Sequence, residues 1–410
     1  MGKPDIRFKG YTDEWEQRKV LDLLKLLTDY DANGSFADMA KNVNTMDGSG
    51  YAWYVRITDL ENPKPLSELK YVDKLSYEFL KKTELHGGEL LMAKRGDIGK
   101  VYIFEPRTKY ATVAPNMCLL KLNNKVIPHF LYDYFVSDEG NKKLARLNAS
   151  STMGALYKDD VKNIDVIMPS IEEQSKIGIY FQSLDHLITL HQRKCDEVKS
   201  LKKYMLQKMF PQNEQKVPEI RFEGFTEAWE QRKLGELYQR NTERNENLIG
   251  YDKTISVATM SYKDDGNGAS ESSLSTYKVI RVGDIAFEGH TNKQFRFGRF
   301  VVNDIGTGIM SPRFSTLRPL NEMPVNFWKQ YIHSESVMRR ILVNSTKAGT
   351  MMNELVIPEF LNQTIMVPSE NEQAIIGQYF TNLDHLITLH QQKCEELKKI
   401  KKFMLQKMFV

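Results

Sequence analysis

Two stretches of the chain repeat one spacing of apolar side chains, alternately four and three residues apart. Residues 173–210 and 372–409 carry it, and 27 of the 38 aligned positions are identical. This spacing puts a seam along one face of a helix and is typical of a coiled coil. Since a lone seam needs a partner and the chain between must return, we predict an antiparallel helix pair. The predicted seam residues are Leu184, Ile188, His191, Cys195, Val198, Met205, Leu383, Ile387, His390, Cys394, Leu397 and Met404.

A second repeated block precedes each of two variable regions. Residues 7–20 return as residues 221–234, with Trp15 and Trp229 at equivalent places. The chain order is therefore block, variable region and long helix, twice over. This order predicts a pseudo-two-fold body with a circular organisation, in which the N- and C-termini lie close together. The expected segments are a first head at 1–170, a first spacer helix at 171–212, a second head at 213–369 and a second spacer helix at 370–410.

The variable regions alternate short apolar runs with turn residues, and each has one longer helical pattern near its end. This arrangement predicts an α+β fold with two mixed α/β heads of divergent sequence. In the first head the expected strands are Trp53–Ile57, Glu89–Ala93, Val101–Phe104, Cys118–Leu122 and Ile164–Met168, with one helix from Pro128 to Leu144. In the second head the expected strands are Thr254–Ala258, Val279–Arg281, Ile285–Phe287, Arg299–Val302 and Phe314–Leu317, with one helix from Val325 to Leu342.

Composition indicates the number of domains and the cellular compartment, but it does not identify the function. The chain has 410 residues, 41% of them hydrophobic, which is room for two or three domains. No apolar run is long enough for a membrane span and no secretory leader is recognisable. Only three cysteines occur, two of them on the predicted seams, which favours a reducing, cytoplasmic compartment. The net charge of +4 is compatible with a polyanionic partner.

Motifs for chemistry are missing where an enzyme would need them. Asn62-Pro63-Lys64-Pro65 lacks the Pro-Pro-aromatic core of an adenine methyltransferase, and Gly96–Lys100 is too short for a phosphate-binding loop. His186 and His191 stand five apart, so they do not share a helix face as zinc ligands would. We therefore predict a chain without catalytic residues, bound metal or cofactor.

Several polar stretches have the composition of nucleic-acid contacts, in which cations bind phosphates and amides or arginines contact base edges. One lies between two predicted strands of the second head, one follows the predicted helix of each head, and one is a turn of the first head. A solvated loop is at least as good an interpretation of each stretch taken alone. The candidate residues are Lys94, Arg95, Ser151, Thr152, Tyr157, Lys158, His290, Asn292, Lys293, Gln294, Arg296, Arg299, Lys347 and Thr350.

Both heads end in a Pro-Ser pair, at 169–170 and 368–369, followed by Glu-Glu-Gln-Ser-Lys-Ile or Asn-Glu-Gln-Ala-Ile-Ile and the repeated helix. Over the whole chain this architecture resembles the DNA specificity subunit of type I restriction-modification enzymes. Trp53–Leu60 also looks like the early strand of that family's target recognition domain. The resemblance implies a non-catalytic subunit whose heads each bind one half of a bipartite, asymmetric site on double-stranded DNA, while the helices set the gap.

The resemblance also implies partners. Two methyltransferase (modification) subunits would dock along the repeated elements and bring S-adenosylmethionine. Restriction subunits, which translocate and cleave DNA with ATP and Mg, would join for cleavage. An alternative is a stand-alone two-headed DNA-binding regulator without enzyme partners. A restriction-type nuclease in its own right is disfavoured by the missing motifs.

Overall fold

The computed structural model describes residues 2–150, 156–212, 215–247, 249–265, 271–350 and 352–410, with only the backbone at 148–150 and 271–272. The chain forms two units. One consists of Met1–His191 with Lys393–Val410, and the other of Gln192–Gln392. These units divide both long helices near their middles, whereas the expected segments followed the sequence repeats.

The first unit carries the N-terminal block, the first head and parts of both long helices. Its strands are β1 (Glu16–Lys19), β2 (Leu24–Asp29), β3 (Thr45–Asp47), β4 (Ala52–Val55), β5 (Lys70–Val72), β6 (Glu84–Leu85), β7 (Leu90–Ala93), β8 (Val101–Ile103), β9 (Ala111–Val113), β10 (Met117–Leu122) and β11 (Asp165–Met168). Its helices are α1 (Phe36–Asn42), α2 (Ile57–Glu61), α3 (Lys74–Phe79), α4 (Pro128–Val136), α5 (Asp138–Ser150), α6 (Lys158–Lys162) and the beginning of α7 (Ile171–Lys208).

The second unit repeats this plan. Its strands are β12 (Glu230–Lys233), β13 (Tyr238–Arg240), β14 (Thr254–Ser256), β15 (Ser261–Lys263), β16 (Lys278–Ile280), β17 (Ile285–Glu288), β18 (Arg299–Val302), β19 (Gly308–Met310), β20 (Thr316–Pro319), β21 (Thr346–Lys347), β22 (Glu354–Leu355) and β23 (Thr364–Val367). Its helices are α8 (Val325–Tyr331), α9 (Glu335–Ser345), α10 (Ile357–Asn362) and the beginning of α11 (Glu370–Lys407).

The central sheets of the two heads share one topology. The order β2-β10-β7-β8 in the first head matches β13-β20-β17-β18 in the second. A second sheet, β3-β5-β4-β9-β6 or β15-β14-β19-β16, contains one parallel pair in each head, β4 with β9 and β14 with β19. The strand of the N-terminal block pairs with the last strand of its head, as β1 with β11 and β12 with β23. The predicted α+β class with two heads and long paired helices is therefore confirmed.

The central sheet of each head is buried on both faces. Successive side chains of a strand point to opposite faces. Leu90 and Met92 of β7 accordingly enter the core against the helices, while Leu91 between them enters the core against the second sheet. In the same way, Ile285 and Phe287 of β17 enter the core against the helices, while Ala286 enters the core against the second sheet. Continuous burial explains why these strands are apolar runs rather than alternating ones.

One predicted helix in each head is wrong, because it is two helices. Ser137 separates α4 from α5: it is extended, and its hydroxyl oxygen accepts a hydrogen bond from the N–H of Gly140. Ser334 is likewise the N-cap residue of α9, which begins after α8 has ended at Tyr331. Serine followed by an acidic residue is a common helix start, and Asp138 and Glu335 provide that signal in the sequence.

The predicted strand Trp53–Ile57 is also too long, since β4 ends at Val55. The Asp59 carboxylate accepts hydrogen bonds from the N–H and the Nε of Arg56, at 3.2 and 3.0 Å. This capping interaction starts α2 at Ile57. The remaining strands match their predicted positions to within one or two residues. The long helices begin two residues before the repeat and end two residues before its end.

The N-terminal block is fastened to the long helices within the first unit. Arg7 forms a two-point ion pair with the buried carboxylate of Glu173, with N–O distances of 2.7 Å, and the N–H of Ile6 donates to the carbonyl of Lys407. Phe409 lies among aromatic rings, with its centroid 5.6 Å from Phe130, 5.9 Å from Phe181 and 6.5 Å from Trp15. The core of this unit is therefore closed by residues from near both ends of the chain.

The second unit uses the same contacts between residues much nearer in sequence. Arg221 pairs with Glu372 at 2.7 Å, and the N–H of Ile220 donates to the carbonyl of Lys208. Phe210 takes the place of Phe409, with its ring 5.8 Å from that of Phe380. The repeated block thus has one structural role in both copies.

Candidate nucleic-acid interface

In the second head, the loop between β17 and β18 holds most of the predicted polar contacts. His290, Asn292, Lys293, Gln294 and Arg296 are all exposed. The side-chain oxygen of Asn292 accepts hydrogen bonds from the N–H groups of Gln294 and Phe295, at 2.8 and 2.9 Å. Asn292 therefore fixes the turn, and the ring of Phe295 is buried against His333. The neighbouring cations Lys293 and Arg296 project from an ordered loop.

Arg299 belongs to the same stretch of sequence but lies in a different environment. Its Nε donates to the Glu288 carboxylate at 2.6 Å, a second nitrogen donates to the carbonyl of Ala258, and its guanidinium lies over the ring of Phe295. The side chain is only 22% exposed. The hydrogen-bonding capacity of Arg299 is thus largely used inside the head.

The second candidate stretch of this head, which contains Lys347 and Thr350, lies beside the first in space. The N–H of Asn353 donates to the carbonyl of Gly289 at 2.9 Å. Lys347 and Thr350 are exposed, and the Lys347 ammonium is 3.8 Å from the Glu354 carboxylate. Both stretches border a cleft of about 420 Å³, lined by Phe287, Gly289, Arg313, Phe314, Ser315, Thr350, Met352, Asn353, Glu354 and Leu355. We call this space the β17 cleft.

Sequence reasoning missed Arg313, which is exposed and lies on the turn before β20. Its guanidinium carbon is 5.9 Å from the centroid of the Phe314 ring. Residues 289–299 were selected because cations, amide side chains and aromatic residues are mixed between two predicted strands, and the combination of a cation with an aromatic residue is one part of that criterion. Ser311-Pro312-Arg313-Phe314 has this combination without amide side chains, so the cation next to an aromatic residue was its signal in the sequence.

In the first head, two candidate lysines meet on one buried carboxylate. Lys94 Nζ lies 2.7 Å from Asp29 Oδ2 and 3.1 Å from Asp31, and Lys158 Nζ lies 3.1 Å from Asp29 Oδ1. Burial by itself raises the pKa of Asp29, but the two ammonium groups outweigh burial and hold that pKa below its ordinary value. Asp29 had no signal in the sequence, because its partners are distant along the chain.

The other candidates of the first head differ in how much the structure says of them. Arg95 and Tyr157 are exposed beside Lys94 and Lys158. Ser151 and Thr152 lie outside the described residues. The N–H of Leu156 donates to the carbonyl of Lys94, as the N–H of Asn353 does to Gly289. Lys94 and Gly289 are therefore equivalent positions, and the candidates occupy the same edge of each head.

The twelve predicted seam residues are all buried or half-buried. In the first unit, Leu184 and Leu397 belong to the main core, and Cys394 Sγ lies 3.9 Å from the carbonyl oxygen of Ile188. Lys401 closes this pairing by donating to Asp185 at 2.6 Å. In the second unit, Cys195 contacts the Ile387 carbonyl and Lys202 donates to Asp384 at 2.6 Å. In each unit the contacts join opposite ends of the two helices, so the pairing is antiparallel.

A second apolar stripe, which sequence reasoning missed, remains exposed on the same helices. In the first unit it consists of Leu187, Leu190, Ile400 and Phe403, which are 37–50% exposed. In the second unit the equivalent side chains are Leu386, Leu389, Leu201 and Tyr204, which are 40–49% exposed. We call these eight residues the outer stripe. Apolar residues at identical positions of both copies were its signal in the sequence.

No helix within the described residues is long and apolar enough to cross a membrane. Across the same residues, His, Cys, Asp and Glu side chains do not gather into a group of three that could hold a metal ion.

Comparison with known proteins decides the family. A family model described as the type I restriction modification DNA specificity domain matches residues 12–200 and again residues 226–399, which is most of the chain. The chain belongs to this family. Each match spans one head and most of the long helix that follows it, so the specificity domain occurs once per sequence repeat.

Individual relatives agree with the assignment to the specificity family. A protein of Methanocaldococcus jannaschii, provisionally named the MjaX type I restriction enzyme specificity subunit, is 26% identical over 205 residues. That match covers 48% of this chain and 46% of the relative, so it spans less than half of the relative's length. The S subunit of a type I system from M. genitalium aligns over 100% of this chain and 99% of its own, at 13% identity and a TM-score of 0.59. A chain from a structural study of type I complex assembly and conformational transition aligns over 96% and 97% at 15% identity, with a TM-score of 0.51. At such low sequence identity, these two matches show that this chain has the same fold as the two solved structures.

Proposed function

We propose that this specificity subunit binds a bipartite, asymmetric site on double-stranded DNA, with each head contacting one half. The observation that carries the proposal is the contrast at equivalent positions of one shared topology. In the first head that edge presents Lys94 and Lys158 held by Asp29, and in the second it presents the β17 cleft with exposed cations around it. Two heads that share a central-sheet topology but carry different side chains at the same edge are suited to binding two different half-sites.

The long helices would set the distance between the half-sites. Each spans 38 residues, which is about 57 Å at 1.5 Å per residue. A paired helix of this length is stiff, so the gap of unspecified bases would be fixed rather than adjustable. The segment boundaries expected from the repeats, 1–170, 171–212, 213–369 and 370–410, remain a prediction of where heads and spacers divide.

The outer stripe supports docking of the partner subunits along the helices. Exposed apolar side chains at identical positions of both copies suit the same partner bound twice, because each copy offers the same surface. We propose two methyltransferase subunits as these partners, carrying S-adenosylmethionine, and restriction subunits carrying ATP and Mg as the later addition. In this scheme the chain has no catalytic site of its own and acts in the cytoplasm.

Co-expression with the neighbouring genes tests the scheme. Affinity-tagged wild-type chain should recover a methyltransferase, and the complex should methylate adenines in a two-part motif across the host genome. The double variant Leu190→Gln, Leu389→Gln should fold normally and lose the methyltransferase. Lys203→Gln, Lys402→Gln changes exposed residues of the same helices outside the stripe and serves as the control. If sequence-specific DNA binding persists but no methyltransferase is recovered, the chain is a stand-alone regulator instead.

A further inference from the structure

The β17 cleft depends on the lack of a side chain at residue 289. A Cβ atom added to Gly289 would lie 1.9 Å from the carbonyl oxygen of Asn353. Glycine therefore leaves room for the Asn353 carbonyl oxygen where the side chain of another residue would begin. The equivalent position of the first head holds Lys94, whose side chain runs back to Asp29. The cleft is thus a feature of the second head's own sequence.

One wall of the cleft offers an arginine whose hydrogen-bond donors are not taken by an acid. Within the described residues, no carboxylate lies at ion-pair distance from Arg313. Arg299 and Arg318 of the same head are different, since they pair with Glu288 and Asp284 at 2.6 and 2.8 Å. The Phe314 ring beneath the Arg313 guanidinium helps to orient that planar group. Arg313 therefore presents a fork of donors to the cleft.

Glu354, which also lines the cleft, offers an acceptor. Glu354 is exposed at the start of β22, and its partner Lys347 is 3.8 Å away, too far for a hydrogen bond. A carboxylate accepts hydrogen bonds and donates none at neutral pH. Arginine donors and a carboxylate acceptor lining one cleft together match the acceptors of guanine and the amino donor of cytosine at the major-groove edge of a G·C pair.

We infer that the β17 cleft recognises a G·C pair from the major groove. Arg313 donates to O6 and N7 of guanine, and Glu354 accepts from the N4 amino group of cytosine. An A·T pair is rejected on both sides, because its adenine amino group faces the arginine donors and its thymine O4 faces the carboxylate. This inference rests on the proposed DNA binding by the second head and names the residues and the base pair.

The test uses the full-length chain with its partner subunits and the DNA motif found by mapping methylation in the host. In the half-site bound by the second head, each guanine is replaced in turn by 7-deazaguanine, which lacks the N7 acceptor. Wild-type protein should lose about 5- to 150-fold in affinity at one guanine. Arg313→Ala should lose affinity for the unmodified duplex by a similar factor and should no longer respond to the replacement at that guanine. Glu354→Ala should relax the preference for the same base pair.

Arg339→Ala is the matched control, since it removes an exposed cation of α9 that does not line the cleft. It should keep the wild-type response to 7-deazaguanine. If Arg313→Ala weakens every sequence equally, Arg313 contacts phosphate and the inference is overturned. A half-site without a G·C pair, or a variant that still responds at every guanine, overturns it too. If wild type shows no base preference in that half-site, the proposed function fails instead.

Discussion

At the scale of single residues, the two units differ in charge where α4 and α8 meet the long helices. Asp133 of α4 is buried near the pair Asp185 and Lys401, whereas the equivalent Gln330 of α8 donates to Asp384 at 3.1 Å. Burial raises the pKa of Asp133 to about 8, although Lys401 lowers it and Asp185 raises it further. Asp133 is therefore mostly protonated at neutral pH, and the first unit contains an acid in a place suited to an amide.

This acid should make the stability of the first unit depend on pH. The unfolded pKa of an aspartate is about 3.9, so the native state binds the proton more tightly. Its contribution to stability is complete below about pH 4 and is lost as the pH rises towards 8. Asp133→Asn should lack that loss. Between pH 5 and pH 8, the free energy of unfolding of the wild type should fall relative to the variant by up to about 4 kcal/mol.

Urea unfolding followed by fluorescence of Trp15, which lies in the same core as Phe130 of α4, is the measurement. Gln330→Glu is the mirror-image control and should introduce a similar pH dependence into the second unit. If the wild type and Asp133→Asn show parallel stability curves from pH 5 to pH 8, Asp133 titrates normally and this account of the site is wrong.

At the scale of elements, a glycine marks the crossing of each long helix with a short one. A Cβ atom at Gly178 of α7 would lie 3.1 Å from the Cβ of His129, and one at Gly377 of α11 would lie 2.8 Å from the backbone nitrogen of Phe327. Glycine in a helix interior costs about 1 kcal/mol relative to alanine. Its presence at both positions is explained by the close approach of the helices.

The two crossings should respond differently to alanine. Gly377→Ala meets backbone, which cannot move away cheaply, so it should destabilise the second unit by about 1–3 kcal/mol despite the better helix propensity. Gly178→Ala meets the Cβ of His129 at 3.1 Å and the backbone nitrogen of Phe130 at 3.4 Å. These distances are longer than the 2.8 Å at Gly377, so the better helix propensity should bring this variant closer to neutral. Thermal unfolding of the two single variants decides the matter, and equal melting temperatures would show that the crossing distance is not what matters.

The long helices and ten of the 23 strands within the described residues could be predicted from the sequence because they depend on local or repeated patterns. The long helices follow from one seam repeated in two copies, and three of the four strands in each central sheet follow from apolar runs, whereas β2 and β13 were not predicted. The breaks at Ser137 and Ser334 were missed because a continuous apolar periodicity outweighed the serine caps. Asp29 and the β17 cleft were missed for another reason. Each is formed by segments far apart in sequence. The sequence alone does not give the strand order of the sheets, so it does not show that these segments meet.

At the scale of the whole molecule, the spacer role predicts how the DNA gap depends on helix length. Removing residues 192–198 and 391–397 takes one heptad from each helix and keeps the Lys202–Asp384 and Lys401–Asp185 pairs in register. Each helix shortens by about 10 Å, which is about three base pairs at 3.4 Å per pair. The methylated motif should then have a gap about three base pairs shorter, with both half-sites unchanged, and methylome sequencing would detect this.

The matched control keeps the length of both helices. It replaces residues 192–198 and 391–397 with a different heptad of equal pattern, which should leave the gap unaltered. An unchanged gap in the deletion variant would refute the spacer role. It would leave the assignment of the half-sites to the two heads intact.

The core of the first unit is sealed by Phe409 and its neighbours, whereas that of the second is sealed by Phe210. Both cores need such a residue, but the ribosome synthesises Phe210 long before Phe409. The second unit has all its parts once residue 392 has been made, while the first must wait for residues 393–410 with Trp15, Phe130 and Phe181 uncovered. The half of the protein that is synthesised first is thus the last to mature. Chaperone protection during translation matters most for that half.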